Sequence, residues 1–566
     1  MKQKYIELMD RALDAYSLNR INQYFNQVKQ EGLTEHGFAR LTSNIGILIS
    51  FGKRKELKPL FSEMMEFCCK IIPNAKAAND FSVREIVCAI SVIEKSNAFD
   101  KETVCRWKGY LSEINPEKTY SIFACSSNDK VKNWALFTAV SEFFRKQMGL
   151  GGTELFIETQ IASQMQWLDE NGMYMDGESE IHHPLVYDLV PRALFSILLN
   201  AGYKGRYYKI IDEKLKQSAL LTLKMQSPNG EVAFGGRSNQ FLHNEPWLIT
   251  IYEYEAKRYA SEGNDEMAAA FKSAIMRAIS ITEECLNREP VSHIKNRFSP
   301  DSMFGCESYA YFDKYMITVA SVLFCAYEIC DDSIIVQPVP EIVPSAFATS
   351  KHFHKLFLKA HGFGLEFDLN ADSHYDATGL GRIHRQGAPS EICLSVPCPS
   401  HPNYDIGVTE QKALSMCPGI WDSKEWKFFN ETDKVYEIKS YFANSDFTFA
   451  ELDAEFPNGE SVKNEHVVNA EGVSITVSGN GKIAYQLPAF YFDGADYSNI
   501  VVEKNRLSVF YKGWECRYTV SGAIEDGKQT GANRNGYYKL YIATANEKLN
   551  INIKILKIKG TNKVDT

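Results

Sequence analysis

The strongest constraint on how this chain folds is a change of texture past its middle. Up to about residue 335 apolar residues recur at helical spacing, as Ile157, Ile161, Met165 and Leu168 do in "ELFIETQIASQMQWLDE" and Phe271, Ile275 and Ile279 in "AAAFKSAIMRAISIT". From about 350 the runs are β-branched and aromatic or alternate, as in "YEIKSYFANSDFTFAELDAEF", "NRLSVFYKGWECRYTV" and "LNINIKILKIKG". Asn458-Gly459 and Asn480-Gly481 supply turn signals between strands. The prolines of "VQPVPEIVPS", Val336 to Ser345, mark the crossing. These signals predict an α domain over 1–335, a linker over 336–350 and an antiparallel β-sandwich over 351–560, before a frayed tail "KGTNKVDT". With 566 residues, each half is long enough to bury its own core.

The helical half carries a weak repeat. "MDGES" (Met175 to Ser179), "FGGRS" (Phe234 to Ser238) and "FGCES" (Phe304 to Ser308) place serines 59 and then 70 residues apart. A period of that length is a helical hairpin with its loops. Hairpins so repeated close into a ring, an (α/α) toroid that is incomplete or of six hairpins, with equivalent loops converging at one end.

Totals exclude several classes. A net charge of −9 argues against nucleic acid as the main partner. No apolar run reaches the roughly 18 to 20 residues of a membrane helix, and the start has no signal-peptide core. The expectation is a cytoplasmic protein, or a periplasmic one whose leader was removed. Thirteen cysteines without a CxxC pair fit reduced thiols. No metal-ligand spacing, phosphate loop, dinucleotide fingerprint or nucleophile elbow is present, so neither metal nor cofactor is expected.

Ten of the twelve histidines lie between His182 and His401, and four segments there concentrate polar groups. The first loop offers His182, His183, Tyr187, Asp188 and Arg192. The second, "FGGRSNQFLHNE", offers Arg237, Asn239, Gln240, His243, Asn244 and Glu245. The third offers His293, Lys295, Arg297, Glu307, Tyr309, Tyr311 and Tyr315, with Tyr311 and Tyr315 one helical turn apart. The fourth, "DSHYDATGLGRIHRQG", brings His374, Tyr375, Arg382, His384 and Arg385 among glycines dense enough to predict a turning loop. Cations alternating with aromatics suit an anionic, hydroxyl-rich ligand such as an acidic sugar. Each residue also has a bland reading: His182-His183 as a helix cap, the tyrosines as core, Arg382 and Arg385 as loop surface, Glu245 and Glu307 as first-turn acids.

On these segments the chain resembles the heparinase II/III-type polysaccharide lyases, which join an (α/α) toroid to a β-sandwich. "LHNE" is similar to the family's Asn/His pair, in reversed order. "DSMFGCESYAYF" is similar to the segment carrying its catalytic tyrosine, with Glu307, Ser308 and Tyr311 on the acid, serine and tyrosine; Tyr309 and Phe312 replace the motif's proline and histidine. The subgroup that removes rhamnose caps from glucuronic acid in plant arabinogalactan looks nearest. The resemblance implies β-elimination on a uronate. Asn244, with His243 or Arg237, would neutralise the carboxylate and Tyr311 would be the base, with its pKa lowered by Arg297, His293 or Arg385. His384 or Tyr311 would protonate the leaving oxygen. His183, Tyr187, Asn239, Tyr309, Tyr315 and Arg382 would line the cleft, and the partner would be an acidic oligo- or polysaccharide. Two readings compete with it: a toroid glycoside hydrolase using two of Asp176, Glu178, Asp188, Glu245 and Glu307, and a non-catalytic carbohydrate-binding protein.

Overall fold

A computed structural model describes residues 1–75, 79–121, 133–176, 181–336 and 344–558. Linker residues 337–343, Glu178 and the tail "KGTNKVDT" therefore lie outside the described residues.

Six helices form a closed inner ring: α3 (Gly37–Ser50), α5 (Asn79–Ser96), α8 (Trp134–Gln147), α10 (Leu185–Asn200), α12 (Asn244–Ser261) and α14 (Phe312–Ile329). Each packs on the next, and α14 packs back on α3. Sequence explains which helices go inside. In α10, "LVYDLVPRALFSILLN", nearly every side chain is buried, whereas the outer α11 (Tyr208–Met225) buries only one stripe through Ile211, Leu215, Ala219, Thr222 and Met225. The other outer helices include α1 (Lys2–Leu13) on α14, α4 (Lys58–Ile71) on α3, α6 (Lys101–Ser112) on α5, α9 (Glu154–Met165) on α8 and α13 (Asp265–Leu286) on α12. α2 (Leu18–Glu31) and the single turn α7 (Pro116–Thr119) complete the helices among the described residues.

The second half is two antiparallel sheets. The smaller runs in the order β1 (Ser345–Ala348), β2 (Lys355–Ala360), β3 (Phe363–Asp368), β4 (Gly379–Arg385). β2 and β3 are buried along their whole length because the sheet is sandwiched: α11 lies on one side, the larger sheet on the other. That larger sheet holds eleven strands, built on the long pair β10 (Gly472–Phe492) and β15 (Gly536–Lys557). Further out, β8 (Phe447–Glu455) and β9 (Ser461–Asn469) alternate buried and half-exposed residues, which places one face on the core.

Two expectations fail locally, both at glycines. Asn480-Gly481 is no hairpin turn: β10 continues through it, with a register shift against β15 between Ser478 and Lys482 and Gly481 at φ +76°. The segment "GLGRIHR" is no turning loop either but the buried strand β4. Gly381 is needed there for close approach, since a Cβ would sit 2.4 Å from the Phe234 ring and 2.6 Å from Pro397. Asn458-Gly459 does turn between β8 and β9.

Acid should loosen this fold in a predictable way. Burial pulls His243, His384 and His466 down to about 3 and His293 down to about 4, so all four are neutral when folded. Unfolded histidine titrates near ~6.5, so below that pH the unfolded state binds more protons and stability falls, by up to ~1.4 kcal/mol per pH unit per group. The melting temperature is expected to drop steeply as pH falls from about 6.5 to about 4.5. A His384→Gln variant should show a shallower fall; an unchanged slope would refute the assignment.

Candidate functional site

The N-termini of all six inner helices meet at one mouth of the ring. Ring contacts trace the convergence: His36, just before α3, lies 4.8 Å from Phe81 of α5 and 6.3 Å from Tyr315 of α14. Phe81 in turn lies 4.6 Å from Phe137 of α8, which lies 6.3 Å from Trp247 of α12. Helix N-termini carry partial positive charge and free N–H groups, so their convergence favours an anion.

The loop Phe234 to Glu245 crosses this mouth between the two domains. From the β side, the Phe234 amide donates to Glu366 (3.0 Å) and the Gly236 amide to Asp376 (2.7 Å). Gly235 and Gly236 sit at φ +149° and +75°, and Ser238 and Gln240 are also left-handed, at +56° and +66°. A Cβ on Gly236 would stand 2.8 to 2.9 Å from Pro184, at the start of α10. Gly236→Ala is therefore expected to push the Arg237–Ser238 segment out of place, costing about 1–3 kcal/mol of stability and most of the turnover; a thermal melt and a rate measurement check both.

Arg237 leaves this loop toward Asp176, to which it donates, and lies over the Tyr187 ring at 4.3 Å. The Ser238 amide donates to Glu307 at 2.6 Å, and the Asn244 side chain caps the Ser238 carbonyl at 3.1 Å. The Ser238 hydroxyl links two phenols, Tyr309 at 2.9 Å and Tyr187 at 3.1 Å. The third loop is zipped to the second through Leu242 N–H to His293 O and Lys295 N–H to Gln240 O. Glu307 is held in turn by Arg534 of the β domain through two hydrogen bonds, 2.7 and 3.0 Å. It is thus a domain-spanning anchor and not the first-turn acid of a helix.

The two exposed tyrosines of the third loop part company. Tyr309 is 37% exposed, with its hydroxyl in the Ser238–Tyr187 chain and its ring 6.2 Å from Tyr315. Tyr315 thus pairs with Tyr309, not with Tyr311 as helical spacing suggested, because Tyr311 is the N-cap of α14 and stands outside its first turn. Tyr311 is 39% exposed; burial and then Glu35, Asp313 and Glu31 push its phenol up to about 12. The cations expected beside it are elsewhere. Arg297 pairs with Asp493 and Asp496, and the Arg385 guanidinium donates to the Ile555 carbonyl of β15. His293 is fully buried and its Nε2–H donates to the Ala310 carbonyl at 2.7 Å, so it positions the turn between the two tyrosines.

Burial removes other expected cleft residues from contact with a ligand. Arg382 is fully buried and clamps the domains, donating to Val232 O, Ser395 O and Glu366. His384, on β4, is 1% exposed and faces the Glu231, Lys295 and Arg382 charges behind the loop. Asn239 is buried and donates to Ala233 O, while His183 is held at the Asp176 carbonyl. His243 is buried in a stack with Phe241 (5.7 Å) and Tyr315 (5.3 Å). Arg237, Tyr187, Tyr309, Tyr315, His243 and Asn244 do come together. Sequence reasoning passed over Ser238, Lys314 and Arg534, and Lys314 had a signal: it stands within the tyrosine cluster. The β domain reaches the loop through Glu366 and through Asp376, beside His374 and Tyr375, not through His384.

Four carboxylates proposed for hydrolysis are already committed: Asp176 to Arg237, Asp188 to Arg192, Glu245 to Lys295 and Glu307 to Arg534. All four are at least nine-tenths buried, so none offers a free acid to a glycosidic oxygen. The remaining candidate, Glu178, lies outside the described residues.

The chain matches no family model, and no curated protein matches it. Solved structures do match. A mutant of the heparan sulfate lyase HepC from Pedobacter heparinus superposes with TM-score 0.51 at 8% identity, over 94% of this chain and 78% of that one. A structure of heparinase III gives TM-score 0.49 at 9% identity, over 93% and 78%. At such identity the likeness is one of fold: an α/α toroid followed by antiparallel β-sheets, the architecture the motifs pointed to.

Proposed function

We propose that this protein is a polysaccharide lyase that breaks a uronic acid glycosidic bond by β-elimination. The observation that carries the reading is the hydroxyl chain Tyr309–Ser238–Tyr187 beside Arg237, set where six helix N-termini converge. The C5 proton of a uronate is barely acidic while its carboxylate is charged. Positive charge and hydrogen-bond donors at the carboxylate lower the barrier by taking up the charge that develops on it. A base must then take that proton, and a proton must reach the departing O4.

In this reading Tyr309 replaces Tyr311 as the base. Burial, with Tyr187, Glu307 and Tyr315 beside it, pushes the Tyr309 phenol up, so the resting group carries its proton. The proton passes to the Ser238 hydroxyl, that of Ser238 to Tyr187 and that of Tyr187 to solvent hydroxide, over two hydrogen bonds. Arg237 and Arg534, each raised in part by Tyr309, are the cations within electrostatic reach of that phenol, each already paired with a carboxylate. Once formed, the Tyr309 phenolate takes the C5 proton and can return it to O4. Tyr311, near Glu35, Asp313 and Glu31, has no such hydroxyl chain among the described residues. Exo action on rhamnose-capped glucuronic acid is the narrower form of the proposal.

The test is a panel of uronate-containing glycans followed by ultraviolet absorbance of the C4–C5 double bond formed by elimination. Sugar release without that absorbance would favour hydrolysis; binding without release would favour a carbohydrate-binding protein.

A further inference from the structure

Lys314 is in the wrong place for a helix. It is the third residue of α14, close to the positive end of the helix dipole, where a cation is destabilising. Its other neighbours do not compensate. Arg40 and the His36 imidazole lie near it, and no carboxylate comes within ion-pair distance among the described residues. Glu35 is the acid it feels, but the Glu35 oxygens already accept from the Tyr24 hydroxyl and from the Gly37 and Phe38 amides.

What holds the ammonium is aromatic. Its Nζ lies 5.9, 5.8 and 5.5 Å from the ring centres of Tyr309, Tyr311 and Tyr315. Ring faces attract a cation without using its N–H donors, so three donors stay available beside Tyr309. The other cations around the mouth are matched: Arg237 by Asp176, Arg534 by Glu307, Lys295 by Glu245 and Arg40 by Glu85. Among the described residues the charge left for a ligand is that of Lys314 and the helix ends.

We propose that Lys314 is the ligand for the substrate's carboxylate, and that this cleft takes uronate glycans without dense sulfation. The inference rests on the lyase reading above and deepens it. One unmatched ammonium balances one carboxylate. It does not balance the several sulfates that a heavily sulfated chain adds to each repeat, whose desolvation would go unreturned.

The experiment measures calorimetric binding to Tyr309→Phe protein, in which substrate persists. The probes are a glucuronate-containing tetrasaccharide without sulfate, its N- and O-sulfated counterpart, and its carboxyl-reduced form. The unsulfated probe is expected to bind best. Lys314→Gln should weaken it about 10- to 100-fold, as loss of a charge-assisted hydrogen bond does, and should leave the carboxyl-reduced probe unaffected. Lys314→Arg should restore most of the affinity. Equal binding of the unsulfated probe to Lys314→Gln and parent would overturn the carboxylate role. Tighter binding of the sulfated probe would overturn the substrate class. If no probe binds the parent, the lyase reading falls and this inference with it; if the parent binds and only Lys314→Gln is silent, the inference falls alone.

Discussion

Tyr309→Phe is expected to lower the elimination rate by about 10²- to 10⁴-fold, the usual worth of a positioned acid–base group. Tyr311→Phe should stay within a fewfold of the parent. The two tyrosines are two residues apart and similarly exposed, so the comparison isolates environment from accessibility. Tyr309 has the Ser238–Tyr187 hydroxyl chain to carry its proton and two arginines within electrostatic reach, although burial, Tyr187 and Glu307 oppose its ionisation as well. Tyr311 has Glu35, Asp313 and Glu31, which oppose its ionisation and repel an anionic substrate. Because the Tyr309 phenol is pushed up, the parent rate should climb as pH rises through neutrality, and that climb should vanish in Tyr309→Phe. Ser238→Ala, which breaks the hydroxyl chain but keeps the loop's backbone contacts to Glu307 and Asn244, should lose rate with little change in substrate binding. A Tyr311→Phe protein as inactive as Tyr309→Phe would return the base to Tyr311.

The fold was largely legible because it follows from periodicity. All-round apolar segments such as α10 became inner helices, one-stripe segments such as α11 became outer ones, and the alternating runs of β8 and β9 became strands. Glycine misled wherever its reason was tertiary. Gly381 and Gly481 looked like turns, yet one admits the Phe234 ring and the other bulges a continuous strand. The site was legible as a list of loops and not as a set of contacts. That "FGGRS" and "FGCES" face each other follows from the repeat, and Ser238 N–H to Glu307 is their meeting point. Whether an arginine faces a ligand or a carboxylate depends on which partner the fold brings up, 16 residues away for Arg382 and 196 for Arg297. Arg382 and Arg297 found theirs in Glu366 and Asp493, and no spacing in the sequence announces that. Lys314 went unnoticed because a lysine in a helix is ordinary until the helix end, the rings and the missing carboxylate are seen together.

Cutting the link between the domains should have the largest effect on stability. Glu307 and Arg534 are 3% and 1% exposed and form a two-pronged pair across the interface, with Glu307 also accepting from Ser238 N–H. Removing one partner leaves the other charge buried and alone, which costs about 3–5 kcal/mol. Glu307→Gln should therefore lower the melting temperature by several degrees, since it leaves the Arg534 charge unpaired and one carbonyl oxygen to serve both Arg534 and the Ser238 amide. Arg534→Met should be comparably destabilised, since the Glu307 carboxylate then keeps only the amide. Combining the two changes removes both charges, so the double variant should recover part of the loss instead of summing it. Elimination, which depends on Ser238 holding Tyr309, should fall in all three and should not recover with stability in the double variant. Additive losses in the double variant would mean that the pair is not the link between the domains that its geometry describes.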